Sequence, residues 1–138
     1  MSTSLGDITL AIDTVNTPVT GKNFARYVEA KFYDGTLFHR VIHDFMIQGG
    51  TSGLVGKPGF EPIVNEACVG FTNERGTIAM ARTHAPNSAT SQFFINTLDD
   101  PHLDQSASSY GYAVFGKVII GMEVVDQYCC HYKSKWSQ

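Results

Sequence analysis

The sequence predicts one mainly β domain, built as a barrel or a sandwich and carrying two helices. Three observations favour this fold class. A chain of 138 residues is long enough for one hydrophobic core and too short for two. Hydrophobic residues make up 43% of it, which is enough apolar material for a folded domain. Beyond residue 35, short apolar runs alternate with glycine-containing and polar segments. We therefore treat residues 1–138 as a single domain.

The first elements are a strand and a helix. Ile8, Leu10 and Ile12 alternate with polar neighbours, which is typical of a strand with one buried face. Thr17-Pro18 then supplies an N-cap and a first helical position. Apolar side chains recur at helical spacing until Asp34-Gly35, namely Phe24, Tyr27, Val28 and Phe32. This pattern predicts a helix over about residues 18–31.

The remaining chain predicts five short strands and a second helix. The strands are expected at residues 37–42, 45–48, 77–81, 93–96 and 113–119. Long polar segments lie at residues 49–73, 83–90 and 98–111, and long ordered loops in a small domain commonly carry function. Met122–Tyr128 predicts a short helix after Gly121.

Charge and cysteine content exclude several classes of partner and compartment. The net charge of −3 and the lack of a Lys/Arg cluster argue against a nucleic-acid partner. The first residues lack the pattern of a secretion signal, and no apolar stretch approaches membrane-spanning length. The three cysteines, Cys68, Cys129 and Cys130, lack the spacing of a disulfide framework or a zinc site. We expect a soluble, cytoplasmic protein.

Three catalytic or binding motifs fail on inspection. Gly56-Lys57 lacks the glycine before it and the Ser or Thr after it that a phosphate loop requires. His39 and His43 lie on a predicted strand and turn, where four residues separate side chains by roughly 13 Å, too far to share a metal ion. No G-x-S-x-G nucleophile elbow is present. We expect neither a metal nor a cofactor.

Side-chain parity along three predicted strands indicates an apolar groove with a few polar groups. Phe38, Arg40 and Ile42 share one side of the first strand. On the other two strands, Met46 shares a side with Gln48, and Phe94 shares a side with Gln92. Each of the three strands therefore has an apolar side chain and a long polar side chain on the same side, as is typical of a ligand groove. The alternative, left open by parity, is that Met46 and Phe94 are plain core residues.

Three ordered blocks carry a family resemblance. The segment YDGTLFHRVIHDFMIQGG resembles the signature of the cyclophilins, and GTIAMARTHAPNSATSQFFIN and YAVFGKVIIGMEVVD resemble their second and third blocks. The helix segment PVTGKNFARYVEAKFYDG is similar to the family's first helix. The likeness is greatest to cytosolic bacterial members. It covers nearly the whole chain.

The resemblance implies an antiparallel eight-stranded barrel capped by two helices, with a proline-binding groove on its outer face. It also implies that the chain is a peptidyl-prolyl cis-trans isomerase that assists protein folding. Arg40 corresponds to the catalytic arginine, and Gln48 is placed with it. The implied substrate-binding residues are Phe45, Met46, Ala81, Arg82, Gln92, Phe94, Leu103 and Tyr112. The expected partners are proline-containing peptides and unfolded chains, and the alternative function is a non-catalytic proline-peptide binding module.

Two positions depart from the family pattern. His102 stands where members that bind cyclosporin tightly carry Trp, so we expect weak cyclosporin binding. Family members usually continue past the second helix into a final strand, whereas YCCHYKSKWSQ has no strand pattern. Three consequences are open: residues 133–138 cover the gap, the protein dimerises through an open sheet edge, or the barrel is less stable. We expect a monomer, with a dimer as the alternative.

Overall fold

The computed structural model describes residues 1–51, 59–69 and 71–136, with side chains up to Cys130. The rejected phosphate-loop motif at Gly56-Lys57 lies outside the described residues, as do Ser137 and Gln138 of the segment considered for covering the gap. Residues 133–136 of that segment are helical.

The described residues form eight strands and two α-helices, and a turn of 3₁₀ helix covers Pro101–Leu103. The strands are β1 (Ser2–Thr3), β2 (Gly6–Asp7), β3 (Thr9–Ile12), β4 (Arg40–Ile42), β5 (Met46–Gly49), β6 (Thr77–Met80), β7 (Phe93–Asn96) and β8 (Val114–Ile120). The helices are α1 (Pro18–Glu29) and α2 (Met122–Trp136). The predicted mainly β fold with two helices is confirmed.

Six of the strands form one antiparallel sheet in the order β3-β8-β6-β7-β5-β4, and β1 pairs with β2 in a separate hairpin. β3 and β4 are therefore the edges of the larger sheet. Within the described residues no strand follows α2. None of the described helices combines the length and the apolar character needed to cross a membrane.

A row of apolar side chains crosses the sheet on its core face. Val41 pairs with Ile47, Ile47 with Ile95, Ile95 with Ile78, and Ile78 with Gly116. The three isoleucines are fully buried. At Gly116 a Cβ atom would lie 2.4 Å from a backbone oxygen of β3, so only glycine lets the edge strand approach this closely. This row anchors the core beneath α1 and α2.

The neighbouring row of residues faces the other side of the sheet. Arg40 pairs with Gln48, Gln48 with Phe94, Phe94 with Ala79, and Ala79 with Val114. Because side chains alternate along each strand, the residues between the core positions are brought together on the outer face. The parity predicted for Met46 with Gln48, and for Phe93 with Ile95 on the opposite face, agrees with this arrangement.

The N-terminus of α1 is capped by a distant residue. Thr17 is the N-cap, but its side chain makes no cap bond and instead donates to the Asp13 carbonyl at 2.8 Å. Glu66 accepts hydrogen bonds from the backbone N–H and the hydroxyl of Thr20, both at 2.6 Å, and from the Val19 N–H at 3.4 Å. The prediction that Thr17 is the N-cap and Pro18 the first helical residue is confirmed, while the capping hydrogen bonds come from Glu66. A carboxylate is well suited to the positive end of the helix dipole.

Two predictions about the strand that follows α1 are corrected. The first predicted strand after the helix begins at Arg40 rather than at residue 37. Phe38 consequently does not share a side with Ile42: its ring packs in the core against Phe93 and Tyr128, 6.1 and 4.9 Å between centroids. Gly49 makes this possible, because a Cβ atom there would lie 3.1 Å from the Phe38 ring.

The helix predictions also differ at their edges. Val28 is 52% exposed although the helical pattern predicted it on the buried face. α1 ends at Glu29, two residues early, and Lys31 takes a positive φ of 55° after it. α2 is eight residues longer than predicted, since the segment after Tyr128 has no regular apolar spacing by which its helix could be recognised.

We predict that Glu66→Ala lowers the free energy of unfolding by about 2 kcal/mol, because the variant leaves buried donors of α1 without their acceptor. Urea denaturation monitored by circular dichroism measures this loss. Glu61→Ala removes an exposed glutamate five residues earlier in the chain and serves as the control. A Glu66→Ala midpoint equal to that of the control would contradict the role of Glu66 as a cap.

Candidate active site

A small cavity of about 120 Å³ lies on the outer face of the sheet, where the row from Arg40 to Val114 emerges. It combines apolar side chains with polar groups at its mouth. Its lining consists of Arg40, Phe45, Met46, Gln48, Ala81, Arg82, Phe94, Leu103 and Tyr112. Every one of these is a site residue expected from the sequence. Gln92, the remaining expected residue, contacts the cavity through Gln48.

Strand pairing positions the first half of the site. Arg40 and Gln48 are register partners on β4 and β5, and Phe94 lies opposite Gln48 on β7. Phe45 ends the tight turn between β4 and β5, in which Asp44 takes a φ of 55°. The rest of the site comes from segments that leave the sheet. Ala81 and Arg82 follow β6, Leu103 ends the 3₁₀ turn, and Tyr112 precedes β8.

The floor of the cavity is apolar and closely packed. Met46 and Phe94 are only 3% and 5% exposed, and together with Ala79 and Val114 they form a hydrophobic cluster separate from the main core. Further apolar side chains cover this cluster, namely Ile42, Phe45, Ala81, Leu103 and Tyr112. The sequence left open whether Met46 and Phe94 line a groove or are core residues. Both descriptions hold, because the two side chains are buried in this second cluster and also line the cavity.

A chain of side-chain hydrogen bonds runs along the polar edge of the cavity. The Gln48 amide donates through Nε2 to Oε1 of Gln92 at 2.9 Å. Its own oxygen faces the guanidinium of Arg40, with 3.5 Å between Oε1 and Nη1. That distance is at the limit for a hydrogen bond, so Arg40 is oriented without being held tightly. Gln92 uses its Oε1 in this bond, and its NH₂ group is a further donor.

Arg82 is held on the opposite side of the mouth. Its Nε and Nη2 donate to the Gly111 carbonyl at 3.2 and 2.8 Å, and Nη1 donates to the Thr83 carbonyl at 2.8 Å. The guanidinium lies 4.4 Å above the Tyr112 ring, and that ring meets Phe94 edge-on at 5.8 Å. The two arginines of the site therefore differ in how firmly their hydrogen bonds hold them.

Gly111 is a supporting residue that the sequence did not predict. It adopts a φ of 72°, and a Cβ atom there would lie 2.4 Å from the backbone nitrogen of Gln105. Its carbonyl accepts from Asn65 Nδ2 at 3.0 Å as well as from Arg82. One glycine among thirteen carries no distinguishing signal. Its role depends on contacts between loops that are distant in the chain.

The 3₁₀ turn brings Leu103 and His102 to the rim. The His102 ring lies 5.7 Å from the Phe45 ring, with the two planes tilted by 33°. Asp100 precedes the turn and is only 6% exposed, and no hydrogen bond reaches its Oδ2 within the described part of the chain. Burial raises the pKa of the Asp100 carboxyl above its usual value. His102 opposes this rise, and Asp99 adds to it.

Larger surface cavities lie elsewhere. One of about 780 Å³ lies between β3, α1 and the turn at residues 33–36. Another, of about 440 Å³, is lined by Phe71 and by residues of β3 and β8. Neither contains an expected site residue. In the described ranges no three His, Cys, Asp or Glu side chains converge to hold a metal ion. The small cavity combines two guanidinium groups, the Gln48 amide and an apolar floor.

Comparisons with known proteins identify the family. The family model for cyclophilin-type peptidyl-prolyl cis-trans isomerases matches residues 1–131. A peptidyl-prolyl cis-trans isomerase of Acinetobacter baylyi is 54% identical over 129 residues, which span 92% of this chain and 69% of the relative. Peptidyl-prolyl cis-trans isomerase A of Dickeya dadantii is also 54% identical over 129 residues, spanning 92% of this chain and 68% of the relative.

Among solved structures, the fold is similar to that of a cyclophilin-type peptidyl-prolyl cis-trans isomerase of Cryptosporidium parvum, determined in the presence of the dipeptide Ala-Pro. The TM-score is 0.81 at 30% sequence identity, and the match covers 94% of this chain and 82% of the other.

We predict that Asp100→Asn stabilises the protein at neutral pH. The folded-state pKa of Asp100 is raised, so below the unfolded value of 3.8 the carboxyl is protonated in both states and costs nothing. The burial penalty develops as the pH rises through the folded-state pKa. The melting temperature of the variant should exceed that of the wild type at pH 7, and the difference should vanish toward about pH 3.

The exposed Asp7 provides the matched control, since its change to Asn removes a carboxylate that is not buried. An Asp100→Asn variant that melts below the wild type at pH 7 would show that the ionised carboxylate stabilises the turn, contrary to this account.

Proposed function

The chain belongs to the cyclophilin-type peptidyl-prolyl cis-trans isomerases, and we propose that the cavity beside Arg40 is its active site, with Arg40 as the main catalytic residue. The family identification makes the chain an enzyme that accelerates rotation about Xaa-Pro bonds. The non-catalytic binding module is therefore set aside. The observation that carries the site assignment is the convergence of Arg40, Gln48 and an apolar cluster around one cavity.

The reaction itself explains which groups are needed. The peptide bond resists rotation by about 18–20 kcal/mol, because the nitrogen lone pair is delocalised into the carbonyl. Bonds that precede proline consequently exchange over tens to hundreds of seconds without a catalyst. Rotation breaks no covalent bond. It requires only that the lone pair returns to the nitrogen and that the twisted amide binds more tightly than the planar one.

Arg40 is suited to bind the twisted amide selectively. A guanidinium N–H can donate to the proline nitrogen once the lone pair has returned to that atom, whereas the planar amide offers no such acceptor. The side chain lies at the sheet edge, and its single hydrogen bond within the described residues is the long one to Gln48. Little must be broken for it to reach a substrate.

The apolar floor contributes in two ways. A twisted amide has lost its charge-separated resonance form and is less polar than the planar amide, so apolar surroundings favour it over the ground state. The same surface binds the pyrrolidine ring of proline. Phe94 and Met46 form the base, and Phe45 and Leu103 form the sides. Holding the ring fixed lets the rest of the peptide rotate about the bond.

Gln48 and Gln92 supply and orient the polar groups at the edge of the cavity. Gln48 donates to Gln92 and turns its oxygen toward Arg40. This arrangement orients the guanidinium without neutralising it. The remaining NH₂ group of Gln92 is a donor for the substrate carbonyl.

The segment after β6 provides a place for the substrate backbone. Ala81 uses its N–H to pair with the Gln92 carbonyl at 3.0 Å. The backbone N–H and carbonyl of Arg82 have no hydrogen-bond partner in the described part of the chain. An extended peptide can pair there as a short added strand and hold the residue before proline. The Ala-Pro dipeptide, in whose presence the Cryptosporidium parvum structure was determined, is the shortest peptide with a residue before proline.

We further propose a cellular setting. The enzyme acts as a monomer in the cytoplasm, needs no cofactor, and assists folding by acting on proline-containing peptides and unfolded chains.

We predict that Arg40→Ala lowers kcat/KM for an Xaa-Pro peptide by about a hundredfold or more, the usual effect of removing a donor that acts in the transition state. The urea midpoint should stay close to that of the wild type, because Arg40 is exposed. Arg40→Lys should lose most activity as well, since Lys lacks the planar fork of donors. An isomerisation assay compares both with Lys22→Ala, which removes one exposed charge from α1. Near-normal turnover by Arg40→Ala would contradict the assignment of Arg40 as the main catalytic residue.

We predict weak inhibition by cyclosporin, because His102 occupies the rim position opposite Phe45 where the tight-binding relatives carry Trp. His102→Trp should tighten inhibition by about tenfold or more, since a buried Trp is among the most effective anchors in an interface. Titration of cyclosporin against isomerase activity measures both values. Tyr110→Trp, at a 64% exposed position outside the cavity lining, is the control. Nanomolar inhibition of the unmodified protein would refute the prediction.

A further inference from the structure

The charge of the cavity is opposite to that of the chain. Two guanidinium groups and no carboxylate occur among its nine lining residues, whereas the chain as a whole carries a net charge of −3. The nearest acidic side chains along the sequence are already engaged: Asp104 accepts two hydrogen bonds from Asn73, and Asp44 pairs with His43. Arg40 is assigned to the reaction above. Arg82 has no part in the chemistry.

We propose that Arg82 is a specificity residue, which favours substrates that carry Asp or Glu on the N-terminal side of the proline. This inference rests on the proposed function, because it takes the cavity to be the proline site. It concerns the choice of substrate and not the rotation step.

The guanidinium of Arg82 is fixed before any substrate arrives. The Gly111 carbonyl accepts from two of its nitrogens, the Thr83 carbonyl accepts from the third, and the Tyr112 ring supports its face. The Gly111 carbonyl is itself linked to a second segment, because it also accepts a hydrogen bond from Asn65 Nδ2 at 3.0 Å. A side chain ordered in this way loses little further entropy when it binds a ligand.

The bonds within the protein leave part of the guanidinium unused. An arginine has five N–H donors, one on Nε and two on each terminal nitrogen. Within the described residues three are engaged, one on each nitrogen, so that Nη1 and Nη2 each keep one donor. Each of these free donors can form a hydrogen bond with a carboxylate oxygen, and such charge-assisted bonds are stronger than neutral ones.

The substrate backbone would pass directly beside this group. The unpartnered N–H and carbonyl that would hold the residue before proline belong to Arg82 itself. A side chain within about three residues of the proline on that side is therefore close to the guanidinium. Long-range attraction cannot produce the same preference, because the net charge of −3 repels an acidic peptide.

A peptide series tests the proposal directly. Each peptide carries Glu or the isosteric Gln at one of the three positions before proline, and a further pair carries them at the position after it. Exchange rates measured by NMR avoid a coupling protease with preferences of its own. We expect Glu to raise kcat/KM over Gln by about threefold to tenfold at one or more positions before proline, and less than twofold after it. The preference should shrink as the salt concentration rises.

Variants assign the preference to one residue. The Glu/Gln ratio should fall to about one in Arg82→Gln and should be partly kept in Arg82→Lys, which retains the charge but not the fork. The ratio is the readout, so a lower overall rate in these variants does not affect the test. If Arg82→Gln does not fold, the salt dependence in the wild type and in Arg82→Lys gives the same answer.

Two results would overturn the proposal: a Glu/Gln ratio near one in the wild type, or an unchanged ratio in Arg82→Gln. A ratio that is abolished by Arg40→Lys and kept in Arg82→Gln would assign the preference to Arg40 and equally refute it. Failure of the proposed function gives a different result from failure of this proposal. If Arg40 is not the catalytic residue, Arg40→Ala keeps full activity on the Gln peptides, whatever the Glu/Gln ratio of kcat/KM is.

Discussion

The pairing register of β4, β5 and β7 positions the part of the site that the sheet carries. Arg40 lies opposite Gln48, and Gln48 lies opposite Phe94, so that guanidinium, amide and aromatic ring emerge as neighbours on one face. The same register sends Ile47 and Ile95 into the core. A slip by one residue would exchange the two faces and bury the polar groups. The energy that stabilises the core therefore also fixes the geometry of the catalytic groups.

The two arginines illustrate how one cavity can separate two tasks. Arg40 is at an edge and is held by one long hydrogen bond, which leaves it free to follow a nitrogen whose geometry changes during the reaction. Arg82 is immobilised by two carbonyls and an aromatic ring. A fixed charge is suited to recognition of a feature that stays constant. The difference arises from the surroundings of each residue, because the side chains are chemically identical.

The sequence predicted those features that depend on neighbours along the chain. The alternation of side chains predicted correctly which residues of β5 and β7 lie on each face of the sheet. Both strands are hydrogen-bonded to a neighbour on each side, which fixes their orientation. Alternation failed at Phe38, since the unpaired residues before β4 are free to turn a side chain inward across Gly49. It also could not predict the cap of α1, which comes from Glu66, or the support of Arg82 by Gly111. Both interactions join segments far apart in sequence. The expected roles of Leu103 and Tyr112, which come from loops, depended on the family resemblance.

The position of β3 has a consequence for how the chain acquires its fold. This strand contains residues 9–12, and among the described strands its one partner is β8, at residues 116–120. Because closing so long a loop costs entropy before the pairing rewards it, this contact is expected to form late and slowly. A ribosome adds about 5–20 residues per second, so the strand waits several seconds for its partner even to be made. During synthesis the nascent enzyme is therefore itself an incompletely folded chain with an unpaired strand.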